Sequence, residues 1–109
     1  MSQTESDVFA ALGDETRLSL VTVLSDGAER RITELVAPTS ISRQAVSKHL
    51  KVLEQAGLVA AQRVGRETRY RLKPETLSDA QSYLAALSAQ WDRALLRLQA
   101  HIEEDTSEG

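Results

Sequence analysis

The 109-residue sequence contains no cysteine, only two histidines, and 4% aromatic residues. Without cysteine the chain has no disulfide, no thiolate nucleophile and no cysteine-based metal or metalloid site. No apolar run approaches the roughly 18 to 20 residues that cross a bilayer. The first residues are acidic and polar, whereas a signal peptide opens basic and then turns apolar. We therefore expect a cytoplasmic protein with no membrane partner.

Length and composition indicate one folded domain. Hydrophobic residues make up 41% of the chain and charged residues 27%, which is ordinary for a globular protein. Apolar periodicity is missing at both ends. We expect a flexible N-terminal tail over residues 1–6, one domain over residues 7–104 and a flexible acidic tail over residues 105–109.

The net charge of -3 hides a strongly basic middle segment. Residues 30–73 contain ten basic and three acidic residues, a net charge of +7, and the segments on either side carry -5 each. A basic segment between acidic flanks favours contact with a polyanion through one face of the molecule. A solvated basic surface without a partner is the alternative.

The residue periodicity predicts a mainly α fold with a small β-hairpin. Helices are expected over residues 7–12, 14–25, 32–37 and 43–56 and from Pro74 or Ser78 onwards, and strands over residues 58–64 and 68–72. Ser42 is a good N-cap for the fourth helix, and Gly57 is a good residue just past its end. About five helices and two strands in this order are typical of a winged helix-turn-helix, in which the second helix of the motif enters the major groove and the hairpin is the wing.

The fourth helix has one wholly polar face. At about 100° per residue, Arg43, Gln44, Ser47, Lys48 and Lys51 fall within an arc of roughly 140°. Arginine pairs with guanine and glutamine with adenine, so we expect Arg43, Gln44, Ser47 and Lys48 to read bases. The residues expected to hold phosphates are Ser40, Ser42, Lys51, Arg63, Arg66 and Arg69.

The opposite half of the same helix is apolar and should pack on the rest of the domain. It includes Val46, Leu50, Val52 and Leu53, and His49 lies near its middle. We interpret His49 as a packed, hydrogen-bonded histidine, with a phosphate contact as the alternative.

Apolar residues recur along the last helix at steps of three and four. They are Leu84, Leu87, Trp91, Leu95, Leu98 and Ile102. This stripe is longer than a core of this size needs, which predicts that part of it faces another chain.

Two segments closely resemble the ArsR-type (ArsR/SmtB) winged-helix repressors. They are Leu-Gly-Asp-x-Thr-Arg-Leu at residues 12–18 and Val-Ser-x-His-Leu-Lys-Val-Leu-x-x-Ala-Gly-Leu-Val at residues 46–59. The resemblance implies a homodimer that binds an inverted-repeat operator in double-stranded DNA and represses transcription. It also implies that the last helix and the first one, including Phe9 and Leu12, form the dimer interface.

The sequence departs from the metal-sensing members of this family. Their cysteine-bearing segment aligns with residues 34–38, where both thiolates are absent. A second family site pairs Asp-x-His with His-x-x-Glu on the last helix, and this chain has His101 and Glu104 but Ser88 and Gln90 upstream. We therefore expect no metal site and no cofactor, and the residues identify no small-molecule effector.

The sequence is less consistent with two other classes of function. The chain has no phosphate-binding glycine loop, no hydrolytic metal motif and no nucleophile elbow, so an enzyme is not expected. A winged-helix protein-interaction module without specific DNA binding is the alternative, and the basic middle segment disfavours it.

Overall fold

The backbone of residues 5–107 and the side chains of residues 5–104 are described by a computed structural model. The helices are α1 (Glu5–Leu12), α2 (Glu15–Val23), α3 (Ile32–Val36), α4 (Arg43–Gln55) and α5 (Pro74–Ser107), and a 3-10 turn covers Leu24–Asp26. The strands are β1 (Arg30–Arg31), β2 (Val59–Val64) and β3 (Glu67–Leu72). This order confirms the predicted winged helix-turn-helix.

The core forms where α2, α3, α4 and the base of the hairpin meet. Its fully buried side chains are Leu20, Leu24, Leu35, Val46, Leu50, Leu53, Leu58 and Val59. Leucine supplies most of this volume, which fits a chain with few aromatic residues. Removing this apolar surface from water is the main stabilising contribution to the fold.

Both ends of α4 are fixed by the residues that the sequence predicted. The Ser42 hydroxyl accepts a hydrogen bond from the backbone N–H of Ala45 at 3.1 Å, which caps the first turn. At the other end Gly57 adopts a φ of 79°, a left-handed conformation that suits glycine because it has no Cβ. The helix can therefore begin and end only within a residue or so of these positions.

The sheet has three antiparallel strands in the order β1-β3-β2. Val64 faces Glu67 across the hairpin, so Gly65 and Arg66 form a two-residue loop, with Gly65 at a φ of 64°. The sequence predicted only two strands. The third strand, β1, pairs Arg30 with Tyr70, and two residues are too few to show the alternation by which a strand is predicted.

The outer helices extend into both predicted tails. Helix α1 begins at Glu5 and α5 ends at Ser107, so only residues 1–4 and 108–109 of the proposed tails lie outside the described residues. Helix α5 begins at Pro74, whose fixed φ and missing N–H suit the first position of a helix.

Helix α5 projects well beyond the rest of the domain. Its 34 residues span about 51 Å, and the radius of gyration is 20.0 Å, against about 13 Å for a compact chain of this length. The ring of Tyr83 on α5 lies 5.9 Å from the ring of Phe9 on α1. The first half of α5 is thus joined to the domain through α1 and through Ala80, which is buried in the core, whereas the described side chains of the second half are mostly exposed.

The cap at Ser42 leads to a prediction about stability. Replacing Ser42 with alanine should lower the free energy of unfolding by about 1 kcal/mol, because the N–H of Ala45 loses its partner. Ser42→Asp is the matched control, since aspartate caps helices as well as serine does. Urea denaturation measures both variants, and equal stability of the two would contradict the role of Ser42 as a cap.

Candidate nucleic-acid interface

Helix α4 buries one face and displays the other. Val46, Leu50 and Leu53 have no exposed surface, and they hold the helix against α2 and β2. The five polar residues predicted to face DNA, Arg43, Gln44, Ser47, Lys48 and Lys51, are all exposed. One prediction about this helix is wrong: Val52 was expected to be packed, yet it is 37% exposed, because it faces a shallow cavity beside α1.

A groove of about 670 Å³ separates α4 from β3, and we call it the helix–wing groove. One wall carries all four residues that were predicted to read bases. The other wall carries Thr68 and Tyr70 of β3, with Ile32 of α3 also lining the groove. The structure thus brings the four predicted residues together with two hydroxyl groups that sequence reasoning did not include.

The alternation of β3 contained the signal for those two hydroxyls. Leu72 is buried in the core. Tyr70 and Thr68, two and four residues before it in the chain, lie on the same side of the strand. Because the core ends near Leu72, side chains nearer the hairpin tip lie beside α4 and are only half buried. A strand face can therefore begin in the core and end at a binding surface.

The three arginines of the wing lie in different places. Arg63 is directly opposite Thr68 and so shares the sheet face that looks toward α4. Arg66 is exposed in the hairpin loop. Arg69 lies on the other sheet face, where its guanidinium is 3.6 Å from the carboxylate of Glu67. The wing presents Arg63 and Arg66 more openly than Arg69.

An ion-pair network on the outer sheet face joins α3 to the wing. The guanidinium of Arg31 donates to Glu34 at 3.1 Å and to Glu67 at 3.2 Å. These bonds raise the pKa of Arg31 and lower the pKa of Glu34. All these side chains are well exposed, so each pair adds little stability in water. They connect the start of α3 to β3 across the outer sheet face.

The two serines predicted to contact phosphates near the start of α4 differ in the hydrogen bonds they already make. Ser40 is exposed in the turn before the helix. The hydroxyl oxygen of Ser42 already accepts the capping hydrogen bond, which leaves its proton free to be donated to another acceptor. Ser42 therefore lies at the first turn of α4, whereas Ser40 lines a cavity with Thr16 and Ser19 of α2.

A polar joint ties α4 to α1 and α2. Arg17 donates to the carbonyl of Ala11 at 2.6 Å and approaches His49 Nδ1 at 3.3 Å. A guanidinium carries donors only, so Nδ1 is the acceptor of this contact when the ring is neutral. The carboxylate of Asp14 caps α2 at Arg17 N and lies 3.8 Å from His49 Nδ1. This joint confirms the hydrogen-bonded interpretation of His49.

The predicted stripe on α5 is mostly exposed in the single chain. Leu84, Trp91, Leu95, Leu98 and Ile102 each expose 52 to 66% of their surface, and Leu87 is partly buried. Of the residues assigned to the same interface on α1, Phe9 and Leu12 are partly buried against the core.

The described residues contain no group of three histidine, cysteine, aspartate or glutamate side chains able to hold a metal ion. His101 and Glu104 lie on the last turns of α5, and both are exposed. Among the described helices, none is long and apolar enough to span a membrane.

Comparisons with known proteins agree with this architecture. The family model for "Bacterial regulatory protein, arsR family" matches residues 14–61, which hold α2, the helix-turn-helix and the start of β2. An uncharacterized HTH-type transcriptional regulator of Bacillus subtilis, YuzN, is 42% identical over 72 residues, which cover 61% of this chain and 78% of that regulator. The chain belongs to the ArsR family. The arsenical resistance operon repressor of Escherichia coli is 36% identical over 67 residues, which cover 62% of this chain and 57% of that repressor.

Solved structures from the same family share the fold. An ArsR-like transcriptional regulator from Rhodococcus sp. RHA1 has a TM-score of 0.74 and 41% identity, with 86% of this chain and 88% of that chain covered. The homodimeric winged helix-turn-helix DNA-binding domain Mb0332 of Mycobacterium bovis has a TM-score of 0.59 and 26% identity, with 80% and 77% covered. These relatives are transcriptional regulators rather than enzymes, so this chain is a transcriptional regulator of the ArsR family.

The polar joint predicts how stability depends on pH. The backbone hydrogen bond from Arg17, and then the charges of His49 and Arg17, hold the pKa of Asp14 below its ordinary value, against an opposing desolvation effect. A lowered pKa means that the charged form stabilises the fold above about pH 4, and that this contribution is lost as the pH falls through the lowered pKa.

The test compares wild-type protein with Asp14→Asn, because asparagine caps a helix equally well but carries no charge. Urea unfolding near pH 6 should show the variant to be less stable, and the difference should shrink below pH 4. A difference that stays constant with pH would assign the effect to packing instead of charge.

Proposed function

We propose that this chain is a homodimeric transcriptional repressor that binds an inverted-repeat operator in duplex DNA. One observation carries the proposal: the exposed polar residues of α4 lie together beside a basic wing. Repression follows if the bound dimer excludes polymerase from a promoter. The repressor title of the Escherichia coli relative supports this role, and we place the protein in the cytoplasm, where such DNA lies.

The division of labour follows the chemistry of each side chain. Arg43, Gln44, Ser47 and Lys48 read base edges in the major groove, because their donors and acceptors match those of guanine and adenine. The residues that hold phosphates are Ser40, Ser42, Lys51, Arg63, Arg66 and Arg69. Since each protomer has one such helix, two-fold symmetry sets the half-sites about one helical turn apart, or a multiple of it.

The dimer forms through α5 and α1. Helix α5 exposes a continuous apolar stripe that the rest of its own chain does not cover, and water contact with that stripe is unfavourable. Packing Leu84, Leu87, Trp91, Leu95 and Leu98 with Phe9 and Leu12 of α1 against a second copy would remove it. The homodimeric Mycobacterium bovis relative supports this arrangement.

The repressor is not released by metals through thiolates. Arsenite requires soft thiolate ligands, and the sequence has no cysteine. Zinc takes about four ligands in a tetrahedron, whereas His101 and Glu104 supply two per chain. His49 faces Arg17 within the polar joint, so a metal bound there would have to break the contact between α4 and α2.

Base reading and phosphate contact can be separated by two substitutions. Gln44→Ala should cost about 1 to 3 kcal/mol per half-site and relax preference at one base position. Lys51→Ala should weaken binding to every sequence alike. It should also reduce the slope of log affinity against log salt concentration by about one per protomer.

Fluorescence anisotropy with operator and random duplexes measures both effects. Arg93→Ala, on α5, removes the same charge away from the proposed interface and should leave both affinities nearly unchanged. Equal losses on operator and random DNA for Gln44→Ala would remove that side chain from base reading.

The dimer proposal is tested at Trp91. Because the Trp91 ring is 66% exposed in the single chain, Trp91→Ala should leave the core intact and weaken the dimer by about 2 kcal/mol or more, roughly 30-fold in dissociation constant. Leu96 is the matched control: it is 65% exposed but lies about 140° around the helix from Trp91.

Sedimentation equilibrium gives the dissociation constants. Leu96→Ala should form dimers like the wild-type protein. A wild-type chain that is monomeric at micromolar concentration, or an equal loss for both variants, would reject the α5 stripe as the interface.

A further inference from the structure

The wall of the helix–wing groove that faces α4 contains none of the residues predicted to read bases. It consists of Thr68 and Tyr70 of β3, which lie on the same sheet face as Arg63. Both side chains are half buried, so their positions are set by packing, and both present a hydroxyl. The opposite wall carries the cationic groups of Arg43 and Lys48.

The groove continues past Tyr70 along α4. A second cavity of about 280 Å³ is lined by Ser47, Lys48, Lys51, Glu54 and Tyr70. Ser47, Lys48 and Tyr70 line both cavities, so the two adjoin each other along the helix. An extended ligand can therefore lie along α4, with the Tyr70 side chain beside its middle.

The chemistry of these two cavities suits an anion that accepts hydrogen bonds. Three cations, Arg43, Lys48 and Lys51, line them against one acid, Glu54. Burial, together with the charge of Glu54, raises the pKa of Tyr70, while Arg43 opposes this shift. The phenol therefore stays protonated at physiological pH and is a neutral hydrogen-bond donor, as is the hydroxyl of Thr68.

The geometry of a duplex places a phosphodiester strand in this position. A helix with its side chains is about 10 to 12 Å wide, and the major groove of B-DNA is about 12 Å wide. A helix that lies in the major groove is therefore bordered by the sugar–phosphate backbones on both sides. A groove that runs beside the exposed face of that helix can therefore receive one of those backbones.

We propose that the helix–wing groove holds one sugar–phosphate strand of duplex DNA and that Thr68 and Tyr70 donate hydrogen bonds to its phosphates. The assignment rests on the proposed DNA binding. It adds two DNA-contacting residues to the interface and gives the wing a second role besides presenting arginines. In this role β3 holds the DNA strand that borders the major groove while α4 reads the bases.

The test uses two substitutions that remove a hydroxyl and little else, Tyr70→Phe and Thr68→Val. The probes are a duplex of about 30 base pairs selected from a random pool by the wild-type protein, long enough for two half-sites, and an unrelated duplex of equal length. Each probe is also prepared with one phosphate at a time replaced by an uncharged methylphosphonate. Tyr83→Phe is the matched control, because Tyr83 lies on α5 against Phe9.

Each substitution should lower the affinity for both duplexes by the same factor, about threefold to tenfold, as expected for a lost hydrogen bond. The salt dependence should stay at the wild-type value, because no charge is removed. Neutralising one particular phosphate per half-site should weaken the wild-type protein more than the variant, which couples that phosphate to the hydroxyl. Tyr83→Phe should behave like the wild-type protein.

Several results would overturn the proposal. Unchanged affinities would remove both hydroxyls from the interface, and a loss confined to the selected duplex would place them on base edges. A loss that couples to no phosphate would assign them a structural role, and thermal unfolding checks this directly. If Tyr70→Phe fails to fold, Thr68→Val alone decides. A wild-type protein that binds neither duplex would instead refute the proposed function itself.

Discussion

The burial of the apolar face of α4 is the constraint on which the rest of this structure depends. Val46, Leu50 and Leu53 fill the centre of the core, so the helix cannot rotate about its axis without exposing them. That fixed rotation is what directs Arg43, Gln44, Ser47 and Lys48 outward together. The Arg17–His49 contact and the cap at Ser42 restrict the same helix at its side and its start. A surface that reads bases needs this kind of rigidity, because hydrogen bonds to base edges are directional.

The two faces of the wing make different contacts. Toward α4 it presents Thr68 and Tyr70, which line the helix–wing groove, and Arg63 lies on the same sheet face. On the outer face Glu67 bonds to Arg31 and lies near Arg69, so part of the basic charge is neutralised within the chain. The high positive charge of the middle segment therefore overstates the charge that faces a ligand. The outer ion pairs connect the wing to the start of α3, and the inner face is left for contact.

Helix α5 connects the proposed DNA-binding part of the molecule to the proposed second copy. Its start is tied to the core, where Thr76 donates to the carbonyl of Gly57 at 2.6 Å, directly after the recognition helix. Its far half carries the exposed stripe. A dimer built on that stripe sets the distance between two α4 helices. The geometry of the dimer would therefore determine the spacing of the half-sites in the operator. The single chain therefore exposes apolar surface that the proposed dimer would bury.

Local patterns in the sequence determined the helix-turn-helix, the caps at Ser42 and Gly57, the polar face of α4 and the apolar stripe of α5, because each depends on residues close together in the chain. The tertiary structure decided the rest. Strand β1 exists only because β3 lies beside it, Val52 is exposed only because α1 leaves a cavity there, and Glu67 pairs with Arg31 from a distant part of the chain. Tyr70 reached the groove for the same reason: periodicity gives the face of a strand on which a residue lies, whereas packing between distant segments determines where the core under that face ends.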